Sequence, residues 1–214
     1  MNDPYEYTDE QLPLLKEYIA AEFQNTANEL PFDEINQTTV TTQAKALYKR
    51  LKSYNRKLFK KIVQRARKQA EQEAVDVGYE KSEYDSESGL VAILLSMFYP
   101  VTGYVYTNEV DRKRDRMIES VISASDRRTL RDNYNRAAKL WYGQSANYAD
   151  FVVDETRKDT FKRMGVQYVQ WKATRDKRTC EDCAERDGTI YSIDAIPDKP
   201  HHNCRCVLIP ISRR

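Results

Sequence analysis

The chain has 214 residues, which suits one domain, or one domain with a helical extension. Charged residues make up 32% of it, which favours long solvated helices over one thick globule. The net charge of +2 is close to zero, so the overall charge does not indicate a nucleic-acid-binding protein. The first ten residues lack the basic and apolar regions of a secretory signal peptide.

Two amphipathic helices are predicted in the first part of the chain. The first spans residues 9–29, with Thr8 or Asp9 as its cap. A polar stretch at residues 36–42 is predicted to be a loop, and a longer helix follows at residues 42–77. The apolar positions at helical spacing are Leu12, Leu15, Ile19 and Phe23 in the first helix, and Leu47, Leu51, Tyr54, Leu58 and Ile62 in the second.

The second helix has a strongly basic surface. Eleven Lys or Arg residues lie between Lys45 and Lys68, with no acidic residue among them. Like charges four residues apart repel, so this pattern costs helix stability and indicates an anionic partner, such as DNA or an acidic protein surface. The alternative is a solvated helix face whose charge is offset by acidic residues elsewhere. The candidate contact residues are Lys57, Lys60, Lys61 and Arg65.

The middle of the chain is predicted to contain a linker, an apolar segment and three helices. Residues 81–89 are polar and are expected to form the linker. The apolar run that follows is about half the ~20 residues needed to cross a bilayer, so a buried helix or hairpin is expected and no membrane segment. The helices are predicted at residues 108–123, 126–142 and 150–164, with Ser125 or Asp126 as a cap and with Gly143 and Gly165 as stops.

The hydrophobic period changes near residue 165, where β-branched and aromatic residues begin to alternate with polar ones. Short strands are predicted at residues 165–173, 189–191 and 206–209. The fold class predicted is therefore α+β: mainly α-helical, with a small C-terminal β subdomain.

All four cysteines lie in the last 35 residues, beside the only two histidines of the chain. Thiolates and imidazoles at such short spacings bind Zn²⁺ in a tetrahedral shell. The alternatives are ordinary buried thiols, or a redox pair, which would need a βαβ context that the sequence lacks. Four thiolates and an imidazole would close the shell, so a structural zinc that staples the β subdomain is predicted rather than a catalytic one. The predicted ligands are Cys180, Cys183, Cys204, Cys206 and one of His201 and His202.

No catalytic residue is predicted. The sequence has no HNH-like or H-E-x-x-H spacing, and Asp176, Asp182 and Asp187 near the cysteines are interpreted as residues that hold turns. Arg205 could contact a phosphate, or pair with Asp176 or Asp187, and the surface ion pair is favoured. A cellular zinc ribbon is a further alternative, although a ribbon usually has C-x2-C in both halves.

The stretch from residue 155 to residue 209 resembles the phage head morphogenesis family, also called Mu F-like, which comprises minor head proteins of tailed phages. The family pattern has a helix, a strand ending in Trp, a D-x-R-T-C-x-x-C stretch, a D-G turn and a closing H-P-N-C-R-C. His202 stands where the family has Pro, and the family position favours His201 as the ligand. The matching positions are Trp171, Asp176, Arg178, Thr179, Cys180, Cys183, Asp187, Gly188, His201, Asn203, Cys204, Arg205 and Cys206.

The resemblance implies a structural role in the virion: a minor capsid protein inside the head near the portal, present in the host cytoplasm during assembly. It implies contacts with the portal protein and with major capsid or scaffold proteins, and binding of double-stranded DNA without sequence preference. It also implies two parts, a helical region at residues 1–88 and a Mu F-like domain at residues 89–214 that ends in a zinc knuckle at residues 176–209. The alternative function is a zinc-dependent nucleic-acid-binding module, or a domain associated with a nuclease or toxin.

Overall fold

The computed structural model describes residues 3–81, 89–96, 100–101, 104–174, 179–201 and 204–212. The α-helices in these residues are α1 (Glu6–Glu29), α2 (Gln37–Asp76), α3 (Gly89–Ser96), α4 (Tyr106–Ile122), α5 (Arg127–Arg163) and α6 (Glu181–Arg186), with a short 3-10 helix at Phe32–Glu34. The strands are β1 (Pro100–Val101), β2 (Tyr104–Val105), β3 (Tyr168–Lys172), β4 (Ile190–Ser192) and β5 (Val207–Pro210). The predicted fold class is confirmed: the protein is mainly helical, with a small antiparallel sheet near the C-terminus.

The chain forms two compact units, and each combines separated parts of the sequence. The sheet unit comprises Met1–Tyr7, Lys60–Leu95 and Ala149–Arg214, and the helical unit comprises Thr8–Phe59 and Ser96–Tyr148. The long helices α2 and α5 therefore each contribute residues to both units. The predicted division, in contrast, separates two continuous segments, residues 1–88 and 89–214, and it stays a prediction.

The core of the helical unit joins α1, α2 and α5 through aromatic rings. The Phe23 ring lies edge-on to Tyr48 and Tyr134, with ring centroids 6.2 and 6.5 Å apart. The Tyr48 ring in turn meets Trp141 at 4.7 Å. Edge-to-face pairs of this kind contribute about 0.5–1.5 kcal/mol each beyond the burial of their surface. A buried hydrogen bond of 2.8 Å from Asn55 to Ser145 adds a polar link between α2 and α5.

Helix α1 begins earlier than predicted. Its first residue is Glu6, so neither Thr8 nor Asp9 is the cap. The Asp3 side chain instead accepts a 2.9 Å hydrogen bond from the backbone amide of Tyr5. This local bond provides an acceptor just before the helix, where amides have no helical partner.

Helix α2 also begins earlier, because the predicted loop at residues 36–42 is helical from Gln37 onwards. The Asn36 side chain caps the helix by accepting a 3.0 Å hydrogen bond from the Thr39 amide. The predicted apolar stripe is confirmed, since four of its members are buried and the Tyr54 ring stacks on Tyr18 at 4.0 Å. The buried members are Leu47, Leu51, Leu58 and Ile62.

The largest correction concerns α5. The sequence predicts two helices that are separated at Gly143, whereas α5 is one continuous helix of 37 residues. Gly143 costs a helix about 1 kcal/mol relative to alanine. The neighbouring side chains of Trp141 and Tyr148 are completely buried, and their packing outweighs that local cost.

Two other predicted helix boundaries are confirmed. The Asp126 carboxylate accepts a 2.7 Å hydrogen bond from the Thr129 amide, and this bond lowers the pKa of Asp126. At the other end of α5, Gly165 has φ +75°. The Val166 amide then bonds back to the Phe161 carbonyl at 3.0 Å, which closes the helix in the way that a left-handed glycine allows.

The sheet unit is built around β3, which lies between β4 and β5 in an antiparallel sheet. All three strands lie close to their predicted positions. Val169 and Trp171 point to the buried face, whereas Tyr168 and Ile190 are more than half exposed on the other. The buried face meets the ends of α2 and α5 in a core cluster of Ala70, Ala74, Tyr79, Phe161, Met164, Val166, Val169 and Ile193.

In the described part of the apolar run at residues 90–101, residues 90–96 lie in α3 and residues 100–101 form β1, so the expected helix and a strand of the expected hairpin are both present. Helix α3 buries Val91, Leu94 and Leu95, and β1 then pairs antiparallel with β2. Most of the predicted linker, residues 82–88, lies outside the described residues. Within the described part of the chain, none of the helices has both the length and the apolar character required to cross a membrane.

Gly143 inside α5 and Gly165 just after its end should respond in opposite ways to alanine. At Gly143 the added methyl group meets nothing within 4 Å, so Gly143→Ala should raise the free energy of unfolding by about 0.5–1 kcal/mol. At Gly165 the left-handed φ disfavours a side chain, so Gly165→Ala should lower the free energy of unfolding by about 1–2 kcal/mol. Urea denaturation followed by circular dichroism measures both. A destabilising Gly143→Ala would contradict the continuous helix.

Candidate metal centre

The cysteine cluster lies at one end of the three-stranded sheet. Cys206 directly precedes β5, whose first residue pairs with the last residue of β3. Cys180 directly precedes α6, and its sulfur accepts a 3.4 Å hydrogen bond from the amide of Cys183. The predicted C-x2-C loop is therefore the capped start of a short helix, which turns both sulfurs towards the same side.

A tight turn between α6 and β4 attaches this short helix to the sheet. Gly188, with φ +83°, donates its amide to the Trp171 carbonyl at 2.8 Å. The Asp187 carboxylate accepts a 2.9 Å hydrogen bond from the Ala173 amide. The predicted D-G turn is confirmed, and it fixes the C-x2-C segment against β3.

The sulfur and imidazole atoms come together as the sequence predicts. The Cys183 sulfur lies 3.5 Å from the Cys204 sulfur and 3.5 Å from Nε2 of His201. Two overlapping groups, each with its donor atoms within 4.8 Å of one another, share Cys183. One group adds Cys180 and His201, and the other adds Cys204 and Cys206. His202 lies outside the described residues.

These distances fit a tetrahedral metal ion. With Zn–S bonds of about 2.3 Å, two thiolates in one tetrahedral shell lie about 3.8 Å apart. The observed spacing differs from that value by only a few tenths of an ångström. The five donors could therefore hold a metal ion with little movement, and one donor more than a four-coordinate shell needs is present.

Burial and mutual hydrogen bonds shift the pKa values of the buried thiols in different directions. Cys183, Cys204 and Cys206 are each at most 4% exposed. Burial raises the pKa of Cys183 to about 12, and the hydrogen bond to Cys206 raises the pKa of Cys204. The same bond from Cys204 lowers the pKa of Cys206. Cys183 and Cys204 therefore hold their protons in the absence of a metal ion, and binding of a metal ion by their sulfurs would release these protons.

An aromatic layer covers the cluster from the sheet side. Trp171 and Ala173 pack with the buried cysteines in one apolar group. The centroids of the Tyr191 and Trp171 rings lie 6.3 Å apart, and the Arg186 guanidinium lies 5.2 Å from the centroid of the Trp171 ring. These groups limit the access of water to the sulfurs.

A second set of charged residues beside the cluster was not predicted. Tyr5 is 1% exposed, and its hydroxyl donates to Asp154 at 2.5 Å. Lys199 contacts both of them, donating to the Tyr5 hydroxyl at 2.5 Å and lying 2.6 Å from Asp154. Arg205 lies 3.5 Å from Asp150, which is its observed ion-pair partner. Asp176, one of the two predicted partners of Arg205, lies outside the described residues, as does Arg178.

Arg157 forms the most deeply buried ion pair of the sheet unit that the structure describes. It donates two hydrogen bonds to the carboxylate of Glu73, of 3.1 and 2.7 Å, and a third to the Leu208 carbonyl at 3.0 Å. Only 3% of its side chain is exposed. The pair connects α5, α2 and β5, and it therefore sets the position of the strand that follows Cys206.

The predicted basic residues lie on α2 and not in the cysteine cluster. Lys57, Lys60, Lys61 and Arg65 are all exposed. The guanidinium of Arg65 lies 5.6 Å from the Tyr7 ring. Within the described part of the chain, Lys57 and Lys61 form no ion pair, so their charges are available to an anionic partner.

Residues 109–209 match the family model described as Phage Mu protein F like protein. This region is similar to that family. The match confirms the resemblance predicted from the cysteine motif and extends it to helices α4 and α5. An uncharacterized protein of Haemophilus influenzae (strain ATCC 51907 / DSM 11121 / KW20 / Rd) is 40% identical over 55 residues, which are 23% of this chain and 12% of that protein. This chain thus covers only a small part of that relative's length. No solved structure matches this chain.

Removal of the buried guanidinium should destabilise the sheet unit strongly. Arg157→Met leaves the Glu73 carboxylate, 17% exposed, without its partner, and such losses cost about 3–5 kcal/mol. The control is Arg163→Met on the same helix, where a 2.8 Å pair with Asp159 is solvent-exposed and is worth less than about 1 kcal/mol. Urea denaturation compares the two. Equal losses of unfolding free energy in the two variants would contradict the expectation that the buried Arg157 ion pair contributes more than the exposed Arg163 pair.

Proposed function

We propose that the chain is a minor head protein of a tailed phage, which acts at the portal vertex in head assembly and in genome packaging or ejection. The observation that carries the proposal is the Mu F-like match over residues 109–209. This family suggests a phage head morphogenesis protein, and the portal location, the virion and the contacts with portal, capsid or scaffold proteins are our extension of it. The role is structural, and the absence of catalysis stays a prediction.

Mass spectrometry of purified phage particles and empty procapsids tests this role. We expect peptides of the chain in both, at a few to a few tens of copies per particle, as a protein assembled with the portal requires. A host-cell lysate prepared in the same way without phage is the control. Absence of the chain from both particles would overturn the virion role and would favour an intracellular nucleic-acid-binding module instead.

The cysteine cluster is proposed to hold one structural zinc ion. Cys183 belongs to both groups of donors, and Cys180, His201, Cys204 and Cys206 complete the candidate set. When bound, zinc would supply a cross-link between the segment before α6 and the segment before β5. A small sheet with a limited core gains folding free energy from such a link.

Loss of one cysteine should remove the metal and disorder the sheet unit. Cys183→Ser is expected to reduce zinc from about one ion per chain to a small fraction, because its sulfur is central to both groups. Cys180→Ala should act in the same direction and leave the upstream helices largely folded. Asp182→Asn, an exposed position inside C-x2-C, is the matched control and should retain zinc. Zinc is measured by atomic emission after gentle isolation. Substantially less than one zinc in the unmodified protein would reject the site.

The exposed basic residues of α2 are proposed to contact double-stranded DNA without sequence preference. Helix α2 presents Lys57, Lys60, Lys61 and Arg65 to solvent, and phosphate neutralisation requires only clustered positive charge. An acidic surface of the portal protein is the alternative partner for the same residues.

Charge reversal distinguishes a local contact from an effect of net charge. Replacing Lys57, Lys60, Lys61 and Arg65 by Glu should weaken DNA binding and reduce the salt dependence of log K by about 3–4, if each contacts one phosphate. The control reverses four exposed basic residues of α5, namely Arg128, Arg131, Arg136 and Lys139, with the same change in net charge. Fluorescence anisotropy across a salt series measures both proteins. Equal losses would show that α2 is not the contact, and unchanged binding in the α2 variant would do the same.

A further inference from the structure

The segment Asp3–Tyr7, here called the latch, makes its tertiary hydrogen bonds through one aromatic side chain. Pro4 and Tyr5 are buried, whereas Asp3 and Glu6 are exposed. The backbone hydrogen bonds of the latch are local: the Tyr5 amide bonds to the Asp3 side chain and the Glu6 amide to the Asp3 carbonyl, at 2.9 and 3.2 Å. The hydrogen bonds from the latch to distant residues are therefore made by the Tyr5 hydroxyl.

The Tyr5 side chain contacts the segment that carries the second half of the cysteine cluster. The described residues of this segment, 199–201 and 204–206, are here called the cysteine loop. The Tyr5 hydroxyl donates to Asp154 at 2.5 Å and lies 3.4 Å from the carbonyl oxygen of Cys206. The guanidinium of Arg205 lies over the Tyr5 ring, 4.5 Å from its centroid. Burial and the Asp154 carboxylate raise the pKa of Tyr5, so the hydroxyl keeps the proton that it donates.

Lys199 connects the same groups from the other end of the cysteine loop. Its ammonium group donates to the Tyr5 hydroxyl at 2.5 Å and to the carbonyl of Cys204 at 2.8 Å, and it lies 2.6 Å from Asp154. The carbonyls of Cys204 and Cys206 thus both lie next to the latch contacts, while their sulfurs lie in the cluster. The backbone that positions two candidate donors is the same backbone that Tyr5 and Lys199 hold.

The described part of the cysteine loop has no regular secondary structure. On one side of the loop, the sulfurs of Cys204 and Cys206 lie in the cluster. On the other side, its Lys199 and Arg205 side chains contact Tyr5. When two contacts order the same segment, each reduces the conformational entropy that the other must remove, and their formation is cooperative. Such coupling is reciprocal in free energy.

We infer that docking of the latch and metal occupancy of the cysteine cluster are coupled, so that loss of the metal releases Tyr5 and loss of Tyr5 speeds release of the metal. This inference rests on the proposed zinc site. The docking of the latch then depends on whether the cluster holds a metal ion, although Tyr5 and Cys206 are about 200 residues apart in sequence.

Hydrogen exchange on the full-length protein tests one direction of the coupling. Zinc-loaded and chelator-treated samples are compared by mass spectrometry, with zinc content measured first. We expect exchange at the Tyr5 and Glu6 amides to rise at least fivefold on zinc removal, within the range of about 5–150-fold that is typical of coupled sites. A peptide from the middle of α1, within the helical unit, is the internal reference and should change by less than twofold.

Zinc release tests the other direction. Tyr5→Ala should release zinc to a colorimetric chelator at least fivefold faster, and Tyr5→Phe, which keeps the ring and loses the hydroxyl contacts, should lie between it and the unmodified protein. Tyr7→Ala is the matched control, because Tyr7 belongs to the latch but contacts Arg65 of α2. It should release zinc at the unmodified rate. If Tyr5→Ala does not fold, Lys199→Met replaces it, since that change removes the contacts to Tyr5 and to the Cys204 carbonyl together.

The outcomes separate the two proposals. If the unmodified protein contains no zinc, both the zinc site and the coupling are overturned. If zinc is present and the Tyr5 variants release it at the unmodified rate, or if zinc removal leaves exchange at Tyr5 unchanged, only the coupling is overturned. Equal acceleration in Tyr7→Ala would also overturn it, because the effect would then not depend on contact with the cysteine loop.

Discussion

The sheet unit depends on a buried positive charge that meets its acceptors from three directions. Arg157 satisfies the carboxylate of Glu73 with two hydrogen bonds and the Leu208 carbonyl with a third. A guanidinium so well enclosed is stable only when every donor direction has a partner, so the three elements that supply these partners are placed together. The strand that Arg157 positions begins one residue after Cys206. The geometry of the cysteine cluster thus follows from an interaction outside it.

The cysteine cluster combines short-range chemistry with long-range support. The spacing of Cys180 and Cys183, and of Cys204 and Cys206, brings each pair of sulfurs to one side by local geometry alone. The sheet then brings the pairs together, because β3 binds the turn after α6 on one edge and β5 on the other. A metal ion would complete a site that is already assembled by hydrogen bonds, which is why the candidate atoms lie close to coordination distances.

The sequence predicted what local chemistry determines and missed what distant packing determines. The caps at Asp126 and Gly165 and the donor residues of the cluster follow from side-chain types at fixed short spacings. Gly143 was interpreted as a helix stop because its propensity is local, whereas the burial of Trp141 and Tyr148 that keeps α5 continuous is not. The contact of Tyr5 with Cys206 has no sequence pattern to indicate it, since a single tyrosine near one end carries no periodicity.

The sheet unit can be completed only after β5 has been translated. Its apolar cluster requires Ala70 and Ala74 from α2, and also Val169 and Ile193, which leave the ribosome about a hundred residues later. Until then the alanine face of α2 has no partner from the sheet, and an unburied apolar helix face on a nascent chain is a target for chaperones and for premature association. Folding of the sheet unit is therefore coupled to the synthesis of β5, and translation products that end before β5 should lack a complete sheet unit rather than only one strand.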